Sequence, residues 1–181
     1  MDFQTCVRER RSIRKFQERP VDSALIENIV ATAALAPSWK NSQTTRYIAI
    51  SNAALKDEIA ESCVMGYAWN QNIIKSAPML LLITTVSPRS GFERDGSPST
   101  SKGTHWESFD AGVATQTLCL AAHEAGLGSV ILGIYDEAKV MEVAHTPEGQ
   151  KVSALLAIGY PAEAPAMRER KGVDELLCFV E

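Results

Sequence analysis

A cluster of basic side chains near the amino terminus is the part of the sequence best suited to binding an anion. Against two acids, Glu9 and Glu18, it contains six bases: Arg8, Arg10, Arg11, Arg14, Lys15 and Arg19. A guanidinium group offers paired donors and a fixed charge, and alternate residues of an extended segment point the same way. Arg10, Ser12 and Arg14 could therefore converge on one phosphate. The alternative is a solvated basic surface after a helix end, which the helix dipole also favours.

Two other segments carry groups suited to ligand binding. A second basic group, Arg168, Arg170 and Lys171, lies near the carboxyl end. Residues 37–43, Pro-Ser-Trp-Lys-Asn-Ser-Gln, bring hydroxyl, amide and indole groups together after a predicted helix. Such groups can hydrogen-bond the edge of a flat heterocycle, and they are equally typical of a turn-rich loop. The residues alone leave both interpretations open.

Familiar catalytic motifs are absent from the sequence. The three His and four Cys residues lack the spacings of metal sites and dithiol redox centres, so we expect no metal. Gly126–Gly128 follows a predicted helix and precedes a predicted strand, which is the reverse of the order in a dinucleotide-binding loop. Walker A, G-x-S-x-G and kinase motifs do not occur. No residue is marked as a catalytic acid or base.

Length and composition predict one globular domain over residues 1–181. The chain is 45% hydrophobic and 22% charged, and its net charge of -4 argues against nucleic-acid binding. The longest apolar run, residues 78–83, is far short of the ~20 residues that span a bilayer, so we expect no membrane association. Residues 1–19 are charged throughout and lack the apolar core of a secretory signal. We therefore expect a cytoplasmic protein.

Hydrophobic periodicity predicts helices and strands in mixed order. Helical spacing covers residues 2–10, a helix capped by Asp22 and ended by Pro37, a helix from Asn52 to Cys63, and residues 107–125 and 136–144. Strand-like patterns cover residues 47–50, 79–86, 129–132, 152–160 and, weakly, 173–180; the 79–86 strand reads as buried on both faces. This order predicts α+β layers around one sheet.

Two segments have a composition that bears on assembly and access. Residues 111–122 carry no charge and are rich in small side chains, which predicts a helix buried all round. Packing against a second subunit is favoured over burial within one subunit. In residues 87–104, 12 of 18 are Gly, Ser, Pro or Thr. A mobile surface loop is favoured there over a lid that closes on a ligand.

Five motifs, spread over nearly the whole chain, together point to a known family. In order, they are Glu9–Phe16, Ala36-Pro37-Ser38 with Asn41 and Gln43, the Asp110 helix closing in Gly126–Ser129, Ala157–Pro161, and Arg170-Lys171. In this combination they resemble the nitroreductase family of FMN-dependent oxidoreductases. The resemblance implies a nitroreductase-like α+β fold, with a central mixed sheet flanked by helices, in an intertwined homodimer. The segment between Cys63 and Met79 is short, so we expect little room there for the extra helices of longer members of the family.

The resemblance further implies an FMN site at the dimer interface. The ribityl and phosphate part would be held by Arg10, Arg11, Ser12, Arg14, Arg168 and Arg170. The partner subunit would supply the contacts to the isoalloxazine from Pro37, Ser38, Trp39 and Asn41. Additional flavin contacts would come from Asn70, Asn72, Ile131, Leu132 and Gly133, the last three beside the reactive N5.

The activity that the resemblance implies is transfer of hydride from NADH or NADPH through FMN to an acceptor. The acceptors would be nitroaromatics, quinones or related small molecules, reduced by a ping-pong mechanism with no catalytic side chain. Two alternatives stay open. The same site could serve reductive dehalogenation or reduction of an activated alkene, or the protein could be a non-catalytic flavin-binding or interaction protein.

Overall fold

The four strands form one sheet, which the computed structural model, describing residues 1–180, places between two layers of helices. The strands are β1 (Thr45–Ile50), β2 (Met79–Val86), β3 (Gly128–Leu132) and β4 (Gln150–Gly159), arranged in the order β1-β2-β4-β3. Every neighbouring pair is antiparallel. An isolated bridge between Ser12 and Ser129 is the one parallel pairing within the described residues. The predicted α+β fold is confirmed, with the mixing of strand directions limited to that bridge.

Besides a one-turn 3-10 helix at Trp39–Asn41, residues 1–180 contain seven α-helices. They are α1 (Phe3–Glu9), α2 (Ser23–Ala33), α3 (Ala53–Ser62), α4 (Ala68–Ser76), α5 (His105–Glu124), α6 (Glu137–Val143) and α7 (Val173–Leu176). The predicted caps are confirmed for two of them. Asp22 accepts a hydrogen bond from the Ala24 N–H at 2.9 Å, and Asn52 accepts one from the Leu55 N–H at 3.0 Å. Both caps satisfy a backbone donor that has no partner within its helix.

One secondary-structure expectation was wrong, and one helix was not predicted. Residues 173–180 form no strand; they begin with the short helix α7 and continue as an extended tail that pairs with no strand of the described chain. The space between Cys63 and Met79 holds α4, which the sequence did not predict. The buried residues of α4 include Asn70 beside Ile73 and Ile74, so a polar side chain interrupts its apolar pattern.

The core lies on both faces of the sheet, as predicted for β2. One face packs against α3, α4 and α6 through a buried cluster that includes Ile59, Ile74, Leu80, Leu82 and Val140. The other face packs against α2 and α5 through a cluster that includes Ile29, Leu81, Ile83 and Leu118. Successive residues of β2 alternate between the two clusters because side chains of a strand point to opposite faces.

The helix α5 is buried on one side only within this chain. Leu118, Cys119 and Ala122 lie in the core, whereas Phe109 is 60% exposed and Gly112 is also exposed. Complete burial, as predicted from composition, therefore does not occur within a single subunit. The exposed side carries no charged residue between 111 and 122. Nothing else in the described chain covers this uncharged surface.

Among the residues described, none of the helices is long and apolar enough to cross a membrane.

The Asn52 cap yields a stability prediction. We expect Asn52→Ala to lower the free energy of unfolding by about 1 kcal/mol, because the Leu55 N–H loses its acceptor. The measurement is urea unfolding at equilibrium. As the matched control, Asn28→Ala on the exposed surface of α2 should change the stability by less than about 0.5 kcal/mol. Equal effects of the two substitutions would contradict the cap.

Candidate functional site

The basic segment that follows α1 is fixed along the β3 edge of the sheet. The Ile13 N–H donates to the Ser129 carbonyl at 3.0 Å, and Ser12 forms the parallel bridge with Ser129. A Cβ atom on Gly128 would lie 2.5 Å from Ile13 Cγ1, so only glycine allows this close approach. The arginines on either side of Ile13 are thus carried by a backbone that is packed against the core.

The arginines of this segment do not all point the same way. The Arg14 guanidinium lies beside Ser12, whose carbonyl accepts its Nη1–H at 3.1 Å. Arg11 instead donates to the Arg10 carbonyl at 2.9 Å and lines a separate cavity of about 350 Å³ with Ile13 and His123. Arg10 and Ser12 are half-buried and Arg14 is exposed. The convergence of Arg10, Ser12 and Arg14 on one phosphate stays a prediction, and Arg11 makes contacts different from those of Arg14.

Burial disfavours the charged forms of two titratable groups close to these arginines. Burial lowers the pKa of the His123 imidazole, and Arg10 and Arg11 lower it further, against an opposing effect of Glu9. Burial raises the pKa of the Cys119 thiol, although the contact with Ser129 and the charge of Arg10 oppose the shift.

Residues 1–180 contain no group of three or more His, Cys, Asp or Glu side chains placed to hold a metal ion.

The second basic group lies in the exposed tail after β4. Arg170 donates to the Arg168 carbonyl at 3.0 Å, and Lys171 is paired with Glu175 at 3.5 Å. The beginning of the tail does reach the first basic segment, since the Arg14 N–H donates to Glu163 Oε1 at 2.7 Å. Within the described residues, however, no hydrogen bond joins Arg168 or Arg170 to the arginines that follow α1.

The loop 37–43 lies at the start of β1 and has an unusual backbone. Three residues other than glycine adopt positive φ angles: Lys40 at 44°, Asn41 at 54° and Gln43 at 48°. The Trp39 N–H donates to Asp110 Oδ2 at 2.9 Å, and the Gln43 N–H donates to Ser38 Oγ at 2.9 Å. These hydrogen bonds hold the backbone in a conformation that is locally unfavourable.

The same loop borders open space and contains unpaired polar atoms. Pro37 and Ser38 line a cavity of about 580 Å³ together with Asp110 and Tyr47. Burial raises the pKa of the Tyr47 hydroxyl to about 12. Asn41 is exposed. Buried atoms without a hydrogen-bond partner among residues 1–180 include Trp39 Nε1, Ser42 Oγ and Thr44 Oγ1. Such atoms are costly to leave unpaired, which fits a loop completed by a ligand or a second chain.

The end of β3 is joined to α4 by one of the two predicted asparagines. Asn70 is 4% exposed and donates from Nδ2 to the Ile134 carbonyl at 3.1 Å. Asn72 is exposed and takes no part in this contact. Beside Asn70, Leu132 is buried, Ile131 is 49% exposed, and Gly133 faces open space. The structure thus groups Asn70 with residues 131–133 and leaves Asn72 outside the group.

The two halves of the predicted site lie at opposite edges of the sheet. Loop 37–43 leads into β1, whereas the segment after α1 and residues 131–133 belong to β3. Three strand spacings of about 4.8 Å separate these edges by roughly 14 Å. Within one chain the two halves therefore lie apart, on either side of β2 and β4.

The donor set fits a phosphorylated flavin. Arg10, Ser12 and Arg14 provide the fixed charge and hydroxyl donors that a phosphate requires. Exposed Ile131 and the open space at Gly133 provide an apolar surface and accessible backbone for a flat ring.

The sequence analysis did not identify Asp110 as a site residue and used it only to mark its helix. The signal that could have found it is an acid at the edge of an otherwise uncharged helical segment.

The layered α+β fold and this donor set define a class of oxidoreductases that work through a bound cofactor. Residues 7–68 and 65–160 match the model of the nitroreductase family. The chain belongs to the nitroreductase family, whose members are oxidoreductases that typically bind FMN and use NAD(P)H. The family expected from the five motifs is confirmed.

Individual relatives agree with this assignment. A candidate NADH dehydrogenase/NAD(P)H nitroreductase of Methanothermobacter thermautotrophicus is 30% identical over 93% of this chain and 82% of its own length. The iodotyrosine deiodinase of Haliscomenobacter hydrossis is 24% identical over 94% of this chain and 84% of its own length. The solved structure of the NADPH:FMN oxidoreductase from Vibrio harveyi, complexed with NAD+, superposes with a TM-score of 0.82 at 22% identity, covering 98% of this chain and 76% of that chain.

The asparagine pair on α4 provides a test of the geometry. We expect Asn70→Ala to lower the free energy of unfolding by about 1–3 kcal/mol, because the Ile134 carbonyl loses the donor that the buried Asn70 side chain provides. Asn72→Ala, two residues further on and exposed, should change the free energy of unfolding by less than about 0.5 kcal/mol. Chemical denaturation of both variants measures the difference. A larger effect at Asn72 than at Asn70 would show that the helix faces the other way.

Proposed function

We propose that this protein is an FMN-dependent homodimeric oxidoreductase that uses NADH or NADPH to reduce nitroaromatic, quinone or related acceptors. The observation that carries the proposal is the separation of the two donor sets on opposite edges of the sheet in a chain of the nitroreductase family. Two such chains, arranged face to face, would complete two equivalent sites. We also propose that residues 1–181 act as a single domain and that the enzyme works in the cytoplasm.

In this proposal the phosphate end of FMN is bound by the β3 edge. Arg10, Ser12 and Arg14 supply the charge and hydrogen bonds, and Arg168 and Arg170 approach from the tail when FMN is present. Since Arg11 lines the cavity beside His123, its role is to support the segment and not to contact the phosphate. The net charge of the chain is negative, so this local positive surface also favours entry of an anionic cofactor at this place.

The isoalloxazine ring would lie between residues of both chains. One subunit contributes Asn70 and residues 131–133, and the other contributes Pro37, Ser38, Trp39 and Asn41. The unpaired indole N–H of Trp39 and the accessible backbone at Gly133 are available as hydrogen-bonding groups for the ring. Asn72 has no place in this contact because its side chain lies on the exposed side of α4.

Bound FMN would supply the hydride-transfer chemistry, and the protein would bind, orient and exclude water. Two of the chain's buried groups are poorly suited to proton transfer at neutral pH, since burial raises the pKa of the Cys119 thiol and raises that of Tyr47 to about 12. Protons for the reduced product would come from solvent. Donor and acceptor would use one pocket in turn, which is the origin of ping-pong kinetics.

The homodimer would use the uncharged exposed side of α5. Phe109, Gly112 and Gln116 lie on this side, and none of them is charged. The exposed tail supplies further apolar side chains for a partner: Met167, Val173, Leu176, Leu177, Phe179 and Val180. Burial of such side chains by association is favourable, at about 25 cal/mol per Å² of apolar surface. A tail of this composition is suited to embracing the second subunit.

A second candidate activity is reductive dehalogenation at the same site. Curated relatives include iodotyrosine deiodinases, one of which aligns with 94% of this chain. Anaerobic reoxidation of the reduced protein by a nitroaromatic, a quinone, an activated alkene and a halogenated phenol separates the candidates. Rapid reoxidation by the halogenated phenol alone would favour dehalogenation and contradict the proposed acceptors.

Arg14→Ala tests the assignment of the phosphate end. Protein purified without added cofactor should show the absorption of oxidised flavin. We expect the variant to bind FMN about tenfold to hundredfold more weakly, because a charged hydrogen bond to the phosphate is lost. Fluorescence titration of the flavin-free dimers measures the affinity. Lys139→Ala removes an equal charge from the exposed surface of α6 and should leave FMN affinity unchanged; equal affinities for the two variants would remove Arg14 from the site.

Gly112→Glu tests the proposed interface. A Cβ atom at Gly112 meets nothing within 4 Å in the chain, so a single subunit tolerates a side chain there. Two negative charges facing each other across a twofold interface are unfavourable, and we expect the variant to sediment as a monomer. Ala138→Glu, on the exposed surface of α6 in the opposite layer, should remain dimeric. A dimeric Gly112→Glu protein would place the interface elsewhere.

A further inference from the structure

Asp110 is a buried carboxylate without a positively charged partner. The residue is 3% exposed, and no cationic nitrogen of residues 1–180 lies within 4.0 Å of its carboxylate. Burying a charged group is costly unless hydrogen bonds replace the lost water. Its Oδ2 accepts two, from the Trp39 N–H at 2.9 Å and from the Ser90 hydroxyl at 2.6 Å. Both hydrogen bonds to this carboxylate are therefore donated by loops.

These two loops are the segments with the strongest bearing on the site. Trp39 belongs to loop 37–43, and Ser90 belongs to segment 87–104, which contains no regular helix or strand. A second contact joins the same segments, because Lys40 Nζ lies 2.9 Å from Glu93 Oε1. Both of those groups are exposed, and an exposed ion pair adds little stability. Asp110 is thus the buried connection between the two segments.

The hydrogen bond from Trp39 is placed where the loop needs support. The next two residues, Lys40 and Asn41, both have positive φ, and Gln43 follows with a third. Such conformations persist only when the surroundings hold them. The Trp39 ring also packs against Trp106 of α5, with 4.8 Å between the ring centroids. Asp110 lies one helical turn after Trp106, so backbone and side chain of Trp39 are held by the same helix.

We propose that Asp110 is a positioning residue, whose buried carboxylate holds loop 37–43 and segment 87–104 in one arrangement and so preorganises the loop that contacts the flavin ring. This inference rests on the proposed function for the identity of the ligand. The hold of Asp110 on the two segments is a property of the chain itself. Preorganisation lowers the cost of binding because the loop does not have to be ordered by the ligand.

Glu107 provides a matched control for Asp110. It is a second buried acid on α5, 4% exposed, and it accepts hydrogen bonds from the Ser87 hydroxyl at 3.1 Å and the Arg89 N–H at 3.4 Å. It also pairs with Lys151 of β4 at 3.7 Å, and among residues 1–180 it has no hydrogen bond or ion pair with loop 37–43. Loss of Glu107 therefore disturbs segment 87–104 and α5 without releasing the Trp39 N–H.

The first measurement is hydrogen exchange in the flavin-free dimer. In Asp110→Ala we expect the Trp39 amide to exchange about tenfold to hundredfold faster than in the wild type, because its acceptor is gone. In Glu107→Ala its exchange should be unchanged. Asp110→Asn keeps one acceptor oxygen without the charge, so the Trp39 amide should exchange faster than in the wild type and more slowly than in Asp110→Ala. Unchanged Trp39 exchange in Asp110→Ala would overturn the proposal.

The second measurement is FMN affinity, with the visible circular dichroism of the bound flavin as a signature of its surroundings. Asp110→Ala should bind FMN about tenfold more weakly and with an altered signal, and Asp110→Asn should return both towards the wild type. Equal losses in Asp110→Ala and Glu107→Ala would show a general structural effect and overturn the positioning role. Failure of the wild type to bind FMN would instead overturn the proposed function, while the exchange measurement would still decide the hold on the loop. If Asp110→Ala does not fold, the comparison of Asp110→Asn with Glu107→Gln decides: faster Trp39 exchange in Asp110→Asn alone supports the proposal, and equal exchange overturns it.

Discussion

The strand order of the sheet limits where the chemistry of this protein can take place. β1 carries the 37–43 loop at one edge, and β3 carries the arginine segment at the other. Between them, β2 and β4 are buried on both faces in two hydrophobic clusters. Protein interiors are close-packed, so neither edge can move towards the other without opening the core. In the proposed homodimer, a ligand that uses both donor sets lies between two chains, and association then completes the site.

Close packing also explains how a chain of net negative charge presents a positive edge. Ile13 and Phe16 are buried, and they alternate with charged residues along the extended segment after α1. Gly128 allows Ile13 to approach β3 closely, and Phe16 pairs with Pro161 beyond the end of β4. The apolar residues fix the segment, and the residues between them are turned outward. The position of the arginines is therefore determined by hydrophobic contacts on the opposite side of the same backbone.

Local patterns predicted most of the fold, and long-range contacts account for what they missed. The caps at Asp22 and Asn52, the doubly buried strand β2 and the helix α5 all follow from periodicity within about ten residues. Helix α4 was not predicted because its buried Asn70 interrupts the apolar pattern. This side chain donates a hydrogen bond to the Ile134 carbonyl, a partner far along the chain. The separation of Arg11 from Arg14 depends on which side of the segment meets the core. The role of Asp110 depends on Trp39 and Ser90, 71 and 20 residues away, and no spacing rule connects them.

Helix α5 links the assembly of the protein to the geometry of its site. At its amino-terminal end, Glu107 and Asp110 turn inward and bind the backbone and hydroxyl groups of two loops. Along its other side, from Phe109 to Gln116, it offers an uncharged surface to solvent. A second subunit seated on that surface would pack directly against the helix that holds loop 37–43 in place. Because the buried acids and the exposed face share one rigid helix, docking of the partner would present the loop in a fixed orientation. Organising the site would then require no separate movement of the chain.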